Sequence, residues 1–157
     1  MRSPPHLAWL ALFAIALALA AGPAPSAAQR PTDLFTSARR VRGGVVLVPP
    51  RALAVIPERN TGRRLRMIDA LERIEPQFDG LARSAGLTPQ TAIQLITREA
   101  NVPIFVEKTD SSVSTALQLQ SGQPIEVVGV LFEREGRYLF VASELRESTA
   151  QRRSRGR

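Results

Sequence analysis

The chain has 157 residues, 44% of them apolar, enough for one ordinary domain with a buried core. It has no cysteine and a single histidine, His6, which excludes disulfides, thiolate nucleophiles, cysteine-ligated zinc, iron–sulfur clusters and a lipidated N-terminal cysteine. The formal net charge is +7, and its distribution along the chain decides whether a nucleic-acid reading follows.

Arg2 is followed by an uncharged apolar run from Leu7 to Ala21, then by Gly22, Pro23 and Pro25 ahead of Ser26-Ala27-Ala28. That is the order of a secretory signal peptide, with small residues where the peptidase reads. The run is about 15 residues and a spanning helix needs about 20. Residues 1–28 are therefore expected to be cleaved, leaving an exported chain, periplasmic or secreted, that starts at Gln29 and is not an integral membrane protein. Cleavage removes His6. A mature chain without imidazole or thiol lacks the usual groups for acid–base and nucleophilic work at neutral pH, so a binding or accessory module is expected rather than an enzyme, and no cofactor or metal is implied.

Residues 29–42 are polar and basic, with Arg30, Arg39, Arg40 and Arg42 against Asp33, and with only Leu34, Phe35 and Val41 as large apolar residues. They are expected to form a basic N-terminal arm. A globular domain is expected over 43–147. It opens with Gly43-Gly44 and Val45-Val46-Leu47-Val48, closed by Pro49-Pro50, and continues with Ala52 to Ile56, closed by Pro57. Two short strands or one interrupted strand fit these β-branched runs.

Asn60-Thr61-Gly62 signals a turn at which a hairpin would reverse. Beyond it, Met67, Leu71, Ile74, Phe78 and Leu81 recur at helical spacing, but Pro76 interrupts the stripe. A strand from Arg64 and a helix from Leu65 both fit up to Ile74, and a helix is expected over Pro76 to Ala85. Thr88-Pro89 could start a helix through Ala100, yet Thr91, Ile93, Ile96 and Thr97 are β-branched. A hairpin with Val102 to Val106, turning at Arg98 to Asn101, is favoured. Ser111 to Gln120 reads as a short helix, with Val113, Ala116 and Leu117 on one face. Ile125 to Phe132 and Tyr138 to Val141 form the clearest hairpin, turning at Glu133 to Gly136. Residues 148–157, with Arg152, Arg153, Arg155 and Arg157, have nothing to bury and read as a disordered basic tail.

The order strand, strand, short helix, strand, strand over residues 91–144 resembles the second half of an oligonucleotide/oligosaccharide-binding (OB) barrel. Ser121-Gly122-Gln123-Pro124-Ile125-Glu126-Val127-Val128-Gly129-Val130-Leu131 is similar to the turn and fourth strand of that fold, and Tyr138-Leu139-Phe140-Val141 to its closing strand. The fold class implied is α+β, β-rich, a single OB-like barrel with an added helix. The resemblance also implies a binding surface on residues 91–107, the Asn60 loop and the Glu133 to Gly136 loop. Single-strand binders need exposed aromatics beside basic residues. Residues 91–107 offer one aromatic, Phe105, and one base, Arg98, beside Glu99 and Glu107, so no specific nucleic acid is expected.

Four constellations remain. Arg59, Asn60, Arg63, Arg64 and Arg66 are the candidate binding site. As a strand, Arg64 and Arg66 share a face and could grip a carboxylate or phosphate with forked hydrogen bonds, or simply charge a strand edge. Glu72, Glu75 and Asp79, spaced for one helical face, could bind a hard cation or act as an acid–base pair in a small carboxylate-dependent enzyme. Lys108 near Ser111, Ser112 and Ser114 is a Ser/Lys arrangement that needs a desolvated lysine. Glu133-Arg134-Glu135-Gly136-Arg137 alternates sign, as a soluble hairpin tip does. The expected partner is a protein or an anionic ligand. The two arginine arms could also hold the chain weakly to anionic surfaces as an envelope-associated structural factor.

Overall fold

The computed structural model describes residues 31–148. The expected signal peptide and most of the expected tail lie outside the described residues. In chain order the elements are α1 (Pro31–Arg40), β1 (Val46–Leu47), α2 (Pro50–Val55), a 3-10 turn (Pro57–Asn60), β2 (Arg64–Glu75), α3 (Gly80–Ser84), β3 (Ala92–Thr97), β4 (Ile104–Glu107), α4 (Asp110–Gln118), β5 (Pro124–Arg134) and β6 (Arg137–Glu147).

The choice left open at residues 64–74 is settled as a strand. Leu65, Met67, Asp69 and Leu71 are buried at every second position, while Ile74, part of the helical stripe, is 39% exposed. β2 is long because two neighbours share it. Its first half pairs antiparallel with β5 from Arg64↔Val130 to Ala70↔Pro124, and its second half pairs antiparallel with β3 beyond an irregularity between Leu71 and Arg73. That bend closes the sheet. The strands run β2-β3-β4-β6-β5 and return to β2; β4–β6 is parallel, and α4 lies between β4 and β5 in sequence. A closed five-stranded barrel in this order is an OB-like fold. β1 adds a two-residue parallel pairing beside β2.

Two apolar layers hold it. Inside the barrel, Leu65, Met67, Leu95, Ile104, Val127, Leu131 and Phe140 pack with Leu53 of α2 and Ala116 of α4. Outside, Ala92, Phe105, Val130, Leu139 and Val141 are covered by Phe78, Leu81 and Leu87 and by Leu34, Phe35 and Ala38 of α1. Phe78 meets Phe105 edge to face at 5.3 Å. Burying each of the larger side chains is worth about 1.5–3 kcal/mol.

Gly129 lies where β5 shifts register against β6, between Val128 and Gly129. A Cβ there would stand 2.2 Å from Val141 O and 2.6 Å from Ala142 Cα. At the tip of the β3–β4 hairpin, buried Asp69 accepts from Glu99 N and Ala100 N at 3.0 Å each, and from Ala70 N at 2.7 Å. Asn101 takes φ 51° at the same tip, a left-handed conformation that Asn tolerates.

Several local expectations are corrected. The expected arm at 29–42 is largely helix, because Leu34, Phe35 and Ala38 fall on one face and cover the outer apolar layer. The expected strand at Ala52 to Ile56 is α2: Pro49 is extended and Pro50 opens the helix, where a missing N–H costs nothing. Asn60-Thr61-Gly62 does not reverse a hairpin. It ends the 3-10 turn, and Gly62 (φ 72°) donates its N–H to Leu131 O at 2.8 Å. The helix expected over Pro76 to Ala85 shrinks to Gly80–Ser84, capped by Asp79, whose side chain accepts from Ala82 N at 2.8 Å. The hairpins at 92–107 and 124–147 and the helix at 110–118 form as expected.

Candidate functional site

The arginine cluster is divided by the fold. Arg64 and Arg66 project from the outer face of β2, as the strand reading requires, but both meet carboxylates. Arg66 pairs with Glu126 at 2.6 Å, and Arg64 pairs with Glu144 at 3.3 Å; Glu144 also accepts from Arg146 at 2.7 Å. These pairs bridge β2, β5 and β6, and at partly exposed sites each contributes about 0.2–1 kcal/mol. Asn60 is buried, and its Nδ2 donates to Ile56 O at 3.4 Å, which holds the 3-10 turn. Arg59 and Arg63 remain exposed and have no ion pair among the described residues.

The three carboxylates do not converge. Glu72 and Glu75 lie on β2, both paired with Arg73, and Asp79 caps α3 and accepts from Arg137 at 2.9 Å. Among the described residues, no group of three His, Cys, Asp or Glu side chains could hold a metal. The carboxylate-site reading assumed a helix across Pro76, and the strand removes its geometry. The Ser/Lys arrangement is also absorbed by structure. Lys108 Nζ donates to Pro89 O, while Ser112 forms the capping box of α4 with Thr109 and donates to Glu107 O at 2.6 Å.

The face implied by the OB resemblance is occupied by the chain itself. On residues 92–107, the outward side chains of Ala92 and Phe105 lie beneath α1 and the 78–87 segment. Arg137 beside the β5–β6 turn is tied to Asp79 in the β2–β3 connection.

An open concavity lies elsewhere. Where β4 ends at Glu107, β6 continues to Glu147, and α4 stands off from it across a cleft of about 610 Å³. Thr109, Ser111, Thr115 and Gln118 line one wall, and the β6 segment from Ser143 to Glu147 the other. Ser148 N donates to Pro124 O at 2.9 Å. Alternation along an antiparallel pair then directs the main-chain groups of Arg146 and Glu144 to β5, and those of Leu145 and Glu147 to the opposite edge. No backbone partner meets that edge among the described residues. Reasoning from the sequence missed this site. The sequence carries no signal for it, since the mismatch between the four-residue β4 and its eleven-residue parallel neighbour β6 exists only once the strands are paired.

No protein-family model matches the sequence, and no curated protein sequence matches it. Solved structures of similar shape include a replication protein A heterotrimer bound to ssDNA, with TM-score 0.47, 10% identity, 71% of this chain and 86% of that one covered. An aspartyl-tRNA synthetase from Leishmania major Friedlin gives TM-score 0.46 and 9% identity, with 66% of this chain and 21% of that one covered. The S. pombe Stn1-Ten1 complex gives TM-score 0.40 and 10% identity, with 58% and 62% covered. The chain thus spans about a fifth of the synthetase. At such scores the barrel is identified by its strand pairings, not by these neighbours.

Proposed function

We propose that this chain is an exported binding module that takes an extended segment of a protein partner as an added strand on the free edge of β6. The observation that carries the reading is the pair of unpartnered main-chain positions, Leu145 and Glu147, inside a formed cleft. An exposed edge normally invites unwanted pairing and is blunted; here α4 walls it, so a single extended chain fits where a flat sheet would not. Strand addition draws affinity from main-chain hydrogen bonds and selectivity from alternate side chains. The hydroxyl of Ser111 and the carboxamide of Gln118 suit a polar peptide, while the hydroxyls of Thr109 and Thr115 are engaged within α4. Export rests on the leader pattern of residues 1–28. Contact rather than bond-making rests on a mature chain with neither histidine nor cysteine, and no helix of the described residues is long and apolar enough to cross a membrane.

The test is selection of short random peptides on the chain from Gln29 to Arg157, followed by binding to a Glu147→Pro variant. That change deletes one edge donor and leaves the β5 ladder intact, so affinity should fall roughly tenfold, the equivalent of about 1.4 kcal/mol. Binders indifferent to Glu147→Pro, or no binders at all, would refute the reading.

A further inference from the structure

α1 is a cover rather than a barrel element. It reaches the outer face through Leu34, Phe35 and Ala38, which lie one residue and then three apart on a single stripe. Its one side-chain tie to the barrel among the described residues is the Arg39–Glu107 ion pair, with Arg39 half-exposed. Ten residues are too few to hold a helix without a docking surface. The joint behind it is loose: Gly43 and Gly44 are exposed, a Cβ on either would meet nothing within 4 Å, and Gly43 takes φ 135°. Beyond the joint the chain is anchored, with β1 paired to β2, Val48 N donating to Arg66 O at 3.0 Å and Val48 buried in the core.

What the helix covers is apolar. Phe105, Val130, Leu139 and Val141 are each 1% exposed or less beneath this layer.

We propose that the outer face of β4, β6 and β5 is a helix-binding groove, and that its occupant α1 exchanges with the α1 of a second copy of this chain. The second copy's helix makes the same contacts, so exchange changes only the path of the Gly43-Gly44 joint, and a reciprocal swap closes as a two-fold dimer. This inference is independent of the strand-addition reading, since it uses a different face.

The test keeps the chain from Gln29 to Arg157 and weakens the resident helix with Leu34→Ala and Phe35→Ala. A labelled peptide of residues 29–42 should bind this folded variant saturably. It should bind the unaltered chain at least about tenfold more weakly, because the tether holds the resident helix at an effective concentration near millimolar. In parallel, deleting Gly43 and Gly44 should convert the chain to a dimer in sedimentation, and adding Leu34→Asp should abolish that dimer. A folded double variant that ignores the peptide, or a double variant that loses its cooperative transition, would overturn the proposal. So would a joint-deleted chain that stays monomeric.

Discussion

Tyr138 is the chain's one tyrosine, and its hydroxyl is pushed above the ordinary phenol value of 10.0, first by desolvation among its neighbours and then by the carboxylates of Glu133 and Glu58. The folded state therefore keeps this proton after the unfolded chain has lost it. Its contribution is fully present below pH 10.0 and is lost as pH rises through the higher folded value. A near-ultraviolet absorbance titration reads this residue alone: the midpoint should lie above 10.0 and should fall in Glu133→Gln. An unchanged midpoint would contradict the assignment. Gly129 and Asp69 set harder limits. Gly129→Ala drives a methyl into Val141 O and should cost about 3 kcal/mol or more in urea denaturation. Asp69→Ala strips three backbone N–H groups of their acceptor and should cost about 3 kcal/mol. Neither role was legible in the sequence. Gly129 stood inside a strand pattern and Asp69 inside an ambiguous one, and only the pairing partners reveal what each does.

Elements were legible where one period ruled. The β5–β6 hairpin, with its β-branched run and Gly136 turn, could be read directly, and so could the body of α4 from Ser111, whose Thr109 cap only the structure shows. β2 was ambiguous because Leu71 and Met67 satisfy both periods; its two sheet partners decide for the strand, and no local signal names them. α1 was misread for a similar reason. Three apolar residues among arginines look solvated until a barrel face waits for them. The candidate cleft was invisible because an edge is a property of neighbours. Its geometry makes a sharp prediction at this scale. Glu147→Pro should shift stability by less than about 0.5 kcal/mol. Arg146→Pro, one residue away, breaks a bond to β5 and should cost at least about 2 kcal/mol. Equal costs in thermal melts would show that the alternation has been assigned to the wrong edge.

Across the whole molecule, the positive charge is largely tied down or peripheral. Arg39, Arg51, Arg64, Arg66, Arg73, Arg137 and Arg146 meet carboxylates, and Arg152, Arg153, Arg155 and Arg157 fall in the terminal nine residues. Retention on heparin should therefore depend on salt and drop when residues 150–157 are deleted, without any change in melting temperature. Retention that survives the deletion would move the anion-binding surface to Arg40 and Arg42 at the N-terminal end or to Arg59 and Arg63. The OB resemblance, drawn from residues 91–144, extended correctly to the whole barrel, because strand order follows from a few hairpins and one parallel closure. On the face the resemblance points to, Ala92 and Phe105 are buried in the chain's own outer apolar layer.

The central claim is that the far end of β6 is an unmade pairing. Residue-resolved amide exchange on the chain from Gln29 to Arg157 tests it, with and without a selected peptide. Leu145 and Glu147 should exchange faster than Glu144 and Arg146 in the free chain and slow by roughly an order of magnitude when the peptide binds. Protection of both amides in the free chain, or exchange that the peptide leaves unaltered, would contradict the account.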